Sequence, residues 1–392
     1  MSEGFLPRDR LDTLISALRA RGMDVLGPRL EDGIIRMASV DSAADFPRGR
    51  LTDHGPGRYR LVEGDAPDGD RLFDWAAAPA ALKPLLFAPT EVLIRTRRDK
   101  AGHLHFETVP AEVRPTAVIG ARACDLAALA LNDAHFMGGG RVADAHYAAR
   151  RRALFVVAVD CHRSARTCFC ASTGDGPAVD GGADLALAEL ADGFLVRASS
   201  DAGRALLSDL DTAPATPAQH AAARSAVQAA ADAQQRYLPG EGLAERLWGA
   251  LDHPRWDDVA RRCLSCGNCT ALCPTCFCHD VDERPALDGR ISETERHWDS
   301  CFTATHGHMA GWRVRPDVRS RYRQWVTHKL AGWVDQYGRG GCTGCGRCIN
   351  GCPAAIDLVA EVHAIVDGPG PGEGGPGEGG PGEGGPGDGG EG

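Results

Sequence analysis

Eight cysteines in the second half of the chain fall into two runs, Cys263, Cys266, Cys269, Cys273 and Cys342, Cys345, Cys348, Cys352. Both runs have the spacing C-x2-C-x2-C-x3-C and are followed by a proline, Pro274 and Pro353. This is the ligand pattern of [4Fe-4S] cubanes. Two intervening residues let one short loop deliver three thiolates to three irons, and the fourth cysteine points away to the other cube of a pair. The pattern predicts two [4Fe-4S] clusters, the first on Cys263, Cys266, Cys269 and Cys352, the second on Cys342, Cys345, Cys348 and Cys273. Structural zinc sites present cysteines as pairs about a dozen or more residues apart, unlike either run. The chemistry expected is one-electron transfer, and no residue is assigned a catalytic role.

Seven cysteines remain. Cys124 lies in IGARACDLAAL, and Cys161, Cys168 and Cys170 lie in DCHRSARTCFC. These four form a candidate third site, because soft thiolates at such density favour iron-sulfur or zinc; isolated buried cysteines are often inert small hydrophobes. Cys276 and Cys278 in PTCFCHD and Cys301 in WDSCF stay unassigned, with a cluster that borrows one of them left open. The tetrapeptide TCFC occurs twice, at 167–170 and 275–278.

These ligands need elements to position them. Leu11, Leu14, Ile15 and Leu18 have helical spacing, with a stop near Gly22. Short apolar runs at 33–40, 91–95, 116–119 and 154–159 predict strands of a mixed sheet, with a helix at 125–131 between the last two. An α/β domain over 1–205 follows, carrying the candidate third site. A connector over 206–258 holds helices at 217–237 and 243–251, broken by Leu238, Pro239 and Gly240. A dicluster [4Fe-4S] ferredoxin domain occupies 259–366. Its motifs stand 69 residues apart (Cys273 to Cys342), so the domain is predicted to be mostly helical with a long helical insertion. Within that insertion Arg313, Arg315, Arg319, Arg321, Arg323 and Lys329 read either as a solvated helix face or as a docking surface for an acidic partner. The PGEGG repeats of 367–392 have almost nothing apolar to bury and are predicted to be disordered.

Composition narrows the function. The 392 residues suffice for two or three domains. Of the net charge of -10, five acids belong to the tail (Glu373, Glu378, Glu383, Asp388, Glu391); the remainder is only mildly acidic, and no nucleic-acid partner is expected. The charged N-terminus and the lack of a long apolar run point to a cytoplasmic protein with no membrane partner. No dinucleotide fingerprint or phosphate loop occurs, so no nucleotide or flavin site is assigned. A chain with clusters and no visible site for a two-electron substrate is most simply a wire between other subunits.

A family resemblance sharpens this reading. IGARACDLAAL, TCFCAST with Gly174 and Gly176, CLSCGNCTALCPTCFC, WDSCF, RPDVRSRYR with His328 and Lys329, and GCTGCGRCINGCP together resemble the iron-sulfur β subunit of cytosolic NADP-linked NiFe hydrogenases, the sulfhydrogenases. The A subunit of anaerobic sulfite reductase is similar. The resemblance runs to about residue 362 and implies an electron-transfer subunit between a flavin/NAD(P)H-binding subunit and the small and large NiFe hydrogenase subunits. The sulfite reductase alternative keeps the wire and replaces the terminal partner with a sirohaem subunit. A different class of reading is a thiol or disulfide reductase using Cys168 and Cys170, or Cys276 and Cys278, which would need an accessible thiol of low pKa.

Overall fold

The structure, a computed structural model, describes residues 2–64, 70–76, 78–79, 82–138 and 142–368. The tail expected to be disordered lies outside the described residues from 369 onward.

A seven-stranded mixed sheet organises the N-terminal half. Its order is Ser2–Pro7, Gly193–Ala198, Leu185–Glu189, Leu154–Val159, Thr116–Ala121, Asp24–Glu31, Ile34–Ser39. The inner pairings from Leu185–Glu189 to Asp24–Glu31 are parallel, and the outer ones antiparallel. The central strands are apolar on both faces because both faces are covered. Ala117, Ile119, Phe155, Val157 and Val159 face a core built with the helix Leu11–Ala20. Val118, Val156 and Ala158 face a second core with Leu126, Leu129 and Phe136 of the helix Ala123–Phe136. The strands expected at 33–40, 116–119 and 154–159 are present with small boundary changes. The edge strand Ser2–Pro7 and the hairpin of Leu185–Glu189 with Gly193–Ala198 had no clear sequence signal, being short and interrupted by Gly, Pro or charge.

The C-terminal dicluster region combines helices and strands, and here the prediction of a helical insertion needs correction. Between the motifs, His279–Pro285 and Ile291–Trp298 form an antiparallel pair, and Ile291–Trp298 also pairs with Thr90–Arg98, which pairs with Leu104–Thr108. ISETERHW, with only Ile291 and Trp298 apolar, carries no 3.6-residue apolar stripe on which a helix could pack. One sheet thus joins segments about 200 positions apart. Helix resumes over Val318–Tyr337, with a π turn at His328–Gly332. The arginines in its first turns are largely committed: Arg321 donates to the carbonyls of Arg315 and Pro316, Arg323 to that of Leu251, and Arg319 pairs with Asp257 at 3.0 Å. Trp256, Tyr322, Trp325, Val326 and Ile349 form the core of this region. Among the described residues no helix is long and apolar enough to cross a membrane.

The two TCFC loops exchange places. Phe169, fully buried, inserts into the C-terminal core, whereas Phe277 packs at the margin of the N-terminal core and stacks on His135 with ring centroids 3.5 Å apart.

Candidate metal centres

The first motif begins where the helix Arg255–Arg262 ends at Cys263. Left-handed backbone at Ser265 (φ 54°) and Gly267 (φ 75°) turns the chain into the short helix Asn268–Ala271, which carries Cys269. The second motif repeats this with Gly344 (φ 63°) and Gly346 (φ 72°) before the helix Arg347–Asn350, which carries Cys348. Two close turns in succession are what a loop wrapping one small group requires.

Cys263, Cys266, Cys269 and Cys352 line one apolar pocket with Phe302, Tyr322, Trp325 and Ile356, and Cys348 reaches its wall. Cys273 lies instead beside Cys342, Cys345 and Cys348. The fourth cysteine of each run therefore stands with the other run's first three. Burial pushes the Cys342 thiol up to about 12 and raises those of Cys269, Cys345 and Cys348. Cys273 goes the other way: its hydrogen bond with Cys276 outweighs burial, helped by Lys329, Thr275 and Lys83. Binding iron at the raised thiols would release their protons.

The residues fit two [4Fe-4S] groups. Each set is made of soft thiols, the first in apolar walls, with cations near the second. Arg347 is 1% exposed, bonds the Ala78 carbonyl at 2.6 Å and pairs with buried Asp125 at 2.8 Å beside Cys345. Lys329, in the π turn, donates to the Thr275 hydroxyl at 2.7 Å, and Thr275 bonds the Gly341 carbonyl. Burial opposes the ammonium of Lys329, but the thiols of Cys273, Cys276 and Cys342 raise its pKa above that of a free lysine. Sequence reasoning placed Lys329 in a surface run and passed over Lys83 and Arg347. The available signal was composition: the chain has only three lysines, and two of them are buried here.

The four N-terminal cysteines converge as well. Cys124 opens the helix after the strand Thr116–Ala121, Cys161 follows the strand Leu154–Val159, and Cys168 and Cys170 lie on the TCFC loop. Cys124 and Cys170 pack on Cys345 of the second motif. Cys161 is near Cys168 and Cys170 and hydrogen-bonds Arg122. Gln234 donates to the Cys170 sulfur at 3.2 Å. Burial raises all four thiols, that of Cys170 to about 12, which is the opposite of what a reactive thiol needs. The loops lie close enough that only glycine fits at two points: a Cβ on Gly344 would meet Cys170 backbone at 2.5 Å, and one on Gly346 the Thr167 carbonyl oxygen at 2.2 Å. The Phe169 amide donates to the Gly344 carbonyl at 2.8 Å.

Cys276, Cys278 and Cys301 form a further group. The Cys278 thiol is hydrogen-bonded to Cys301 and to His306, and Cys276 lies near both cysteines. Among the described residues no three His, Cys, Asp or Glu side chains close round a single-ion position, and this is as true of the two motif sets as of the others.

Comparison with known proteins agrees with this geometry. The family described as 4Fe-4S dicluster domain matches residues 262–356, and the cofactor is accordingly two [4Fe-4S] clusters. Sulfhydrogenase 2 subunit beta of Pyrococcus furiosus is 33% identical over 258 residues, 64% of this chain and 74% of that protein. No solved structure matches the chain. With the dicluster region and its paired thiol sets inside a relationship of that extent, the chain belongs to the family of sulfhydrogenase 2 subunit beta.

Proposed function

We propose that the chain is the electron-transfer subunit of a cytoplasmic NiFe hydrogenase complex, relaying single electrons between a flavin/NAD(P)H-binding subunit and the hydrogenase small and large subunits. The observation that carries this reading is the exchange of fourth cysteines, Cys352 standing with the first run and Cys273 with the second, while Cys348 reaches the first pocket. Bound there, the clusters supply one-electron transfer, and two-electron chemistry is left to cofactors on partner subunits. The chain's own residues hold the thiol sets side by side, keep Phe302, Tyr322 and Trp325 against the first, and place Arg347 and Lys329 beside the second. The ligand sets proposed are Cys263, Cys266, Cys269, Cys352 and Cys342, Cys345, Cys348, Cys273. Cys124, Cys161, Cys168 and Cys170 are proposed as a third iron-sulfur site, supported by their convergence from three separate loops, Cys124, Cys168 and Cys170 beside Cys345 and Cys161 beside Cys168 and Cys170.

The test is Cys266→Ala in the assembled complex. Cys266 is exposed, so its loss disturbs little packing. Hydrogen turnover coupled to NAD(P)H should fall to that of a complex lacking this subunit, while dye reduction by the flavin partner is unchanged. Full coupling in the variant would remove the first cluster from the path. Stoichiometric flavin in the isolated chain would contradict the relay reading itself.

A further inference from the structure

The two motif sets and the N-terminal set use twelve of the fifteen cysteines, leaving Cys276, Cys278 and Cys301. We propose that these three, with His306 as fourth donor, hold a further iron-sulfur cluster next to the second one.

The fold assembles the four donors. In the hairpin of His279–Pro285 with Ile291–Trp298, His279 lies opposite Trp298. One step beyond, the Asp299 amide donates to the Cys278 carbonyl at 2.9 Å. The loop carrying Cys276 and Cys278 is thereby fixed against the loop carrying Cys301 and His306. Within it, the Cys278 sulfur contacts both the Cys301 sulfur and the His306 ring. The imidazole is already oriented: its Nδ1 bonds Asp299 Oδ2 at 2.8 Å, and Asp299 also accepts the Ser300 amide at 2.7 Å. Nε2 is the ring nitrogen that this bond leaves uncommitted, and the ring is hydrogen-bonded to Cys278. A carboxylate holding one imidazole nitrogen while the other faces soft donors is the usual outer support of a metal-bound histidine.

Charge gives an independent argument. Lys83 and Lys329 are 6% and 4% exposed. Lys83 donates to the carbonyls of Thr270 and Ala271 at 3.2 and 2.9 Å and lies 4.1 Å from the Trp298 ring centroid; Lys329 donates to the Thr275 hydroxyl. Among the described residues neither forms an ion pair with a carboxylate. A buried ammonium without a counter-charge is costly, and the groups both cations face are the thiols of Cys273 and Cys276, with Cys278 also beside Lys83. A cluster on the second motif accounts for Cys273, and for Cys342 beside Lys329, but not for Cys276 or Cys278. Cys276 and Cys278 line a cavity together with Lys83, and Cys278 borders a second cavity with Cys301 and His306, so Cys278 stands between two open spaces that together are lined by all four donors. An anionic metal-thiolate group there balances both lysines and uses every remaining cysteine.

The experiment uses the full chain purified without oxygen, with iron, acid-labile sulfide and zinc counted per chain and EPR recorded on the reduced protein. Cys278→Ala/Cys301→Ala should lose about two to four irons with matching sulfide, while the signals removed by Cys266→Ala persist. His306→Cys should keep the iron count and change one set of g values, a readout that packing alone would not move. Iron and sulfide unchanged in the double variant, or zinc lost in their place, overturns the proposal. If the double variant does not fold, His306→Cys decides: a spectrum identical to the parent's overturns it, and an altered set of g values at constant iron supports it. Loss of the Cys266-dependent signal affects only the relay reading, so the two can fail separately.

Discussion

At the scale of single residues, the glycines of the second motif do as much as its cysteines. Gly344 takes φ 63°, and a Cβ there would lie 2.5 Å from the Cys170 amide nitrogen and Cα. Neither the left-handed backbone nor the contact with main-chain atoms can be relieved by a rotamer change. Gly344→Ala should therefore cost about 1–3 kcal/mol and lower the melting temperature by several degrees. Gly181→Ala, where a Cβ meets nothing within 4 Å, serves as the control and should leave stability unchanged. Equal melting temperatures for the two variants would mean that the TCFC loop does not dock on the motif as described. The eight cysteines were legible because their spacing is local, one loop per cluster. Lys83, Lys329 and His306 were not, since each gains meaning only from partners brought in by the fold: Lys83 from Thr270 and Ala271, Lys329 from Thr275, His306 from Asp299.

At the scale of elements, the four-stranded sheet is the join between the halves, and one polar cluster fastens it. Glu91, at the start of Thr90–Arg98, pairs with His146 at 2.7 Å and Arg150 at 2.9 Å from the helix Ala145–Arg152, and with Arg296 of Ile291–Trp298; Arg296 also pairs with Asp144, which caps that helix. Burial alone would raise the Glu91 pKa, but hydrogen bonds from Arg296, Arg150 and His146 hold it below the ordinary carboxylate value, and Asp144 is lowered in the same way by Arg296. A carboxylate with a depressed folded pKa contributes stability that is complete above its unfolded pKa and disappears as pH falls through the folded one. Denaturation curves should accordingly weaken as pH drops below the ordinary carboxylate range. Glu91→Gln should destabilise the fold at neutral pH by less than the ~3–5 kcal/mol of a fully stranded charge, since Arg296 keeps Asp144 while Arg150 loses its carboxylate partner, and should flatten the acid limb. An acid limb as steep as the parent's would assign the pH response to other carboxylates. This sheet was hidden in the sequence because its partners are so far apart: Ile291 lies opposite Arg97, and no local pattern encodes a pairing at that separation. The central strands of the large sheet, by contrast, announced themselves as apolar runs.

At the scale of the molecule, the exchanged TCFC loops pack the two halves into each other. Phe169 fills the C-terminal core and Phe277 the edge of the N-terminal one, while Cys124 and Cys170 share a wall with Cys345. If the N-terminal thiols were only small core residues, nothing would require four of them to gather where Cys124, Cys168 and Cys170 lie beside the motif ligand Cys345. If they hold iron, that place is where a third cluster would continue the path begun by the two motifs. Packing and ligation predict different outcomes for Cys161→Ala/Cys168→Ala. A ligand set should lose about four irons per chain, with the melting temperature falling because metal binding is coupled to folding. A packing role should leave iron and sulfide unchanged and cost only the small cavities left by two thiols. Iron counting on the double variant, beside Cys266→Ala as a positive control for the loss of one cluster, separates the two. A full iron complement in the N-terminal variant would confine the wire to the dicluster region and leave the N-terminal half as its scaffold.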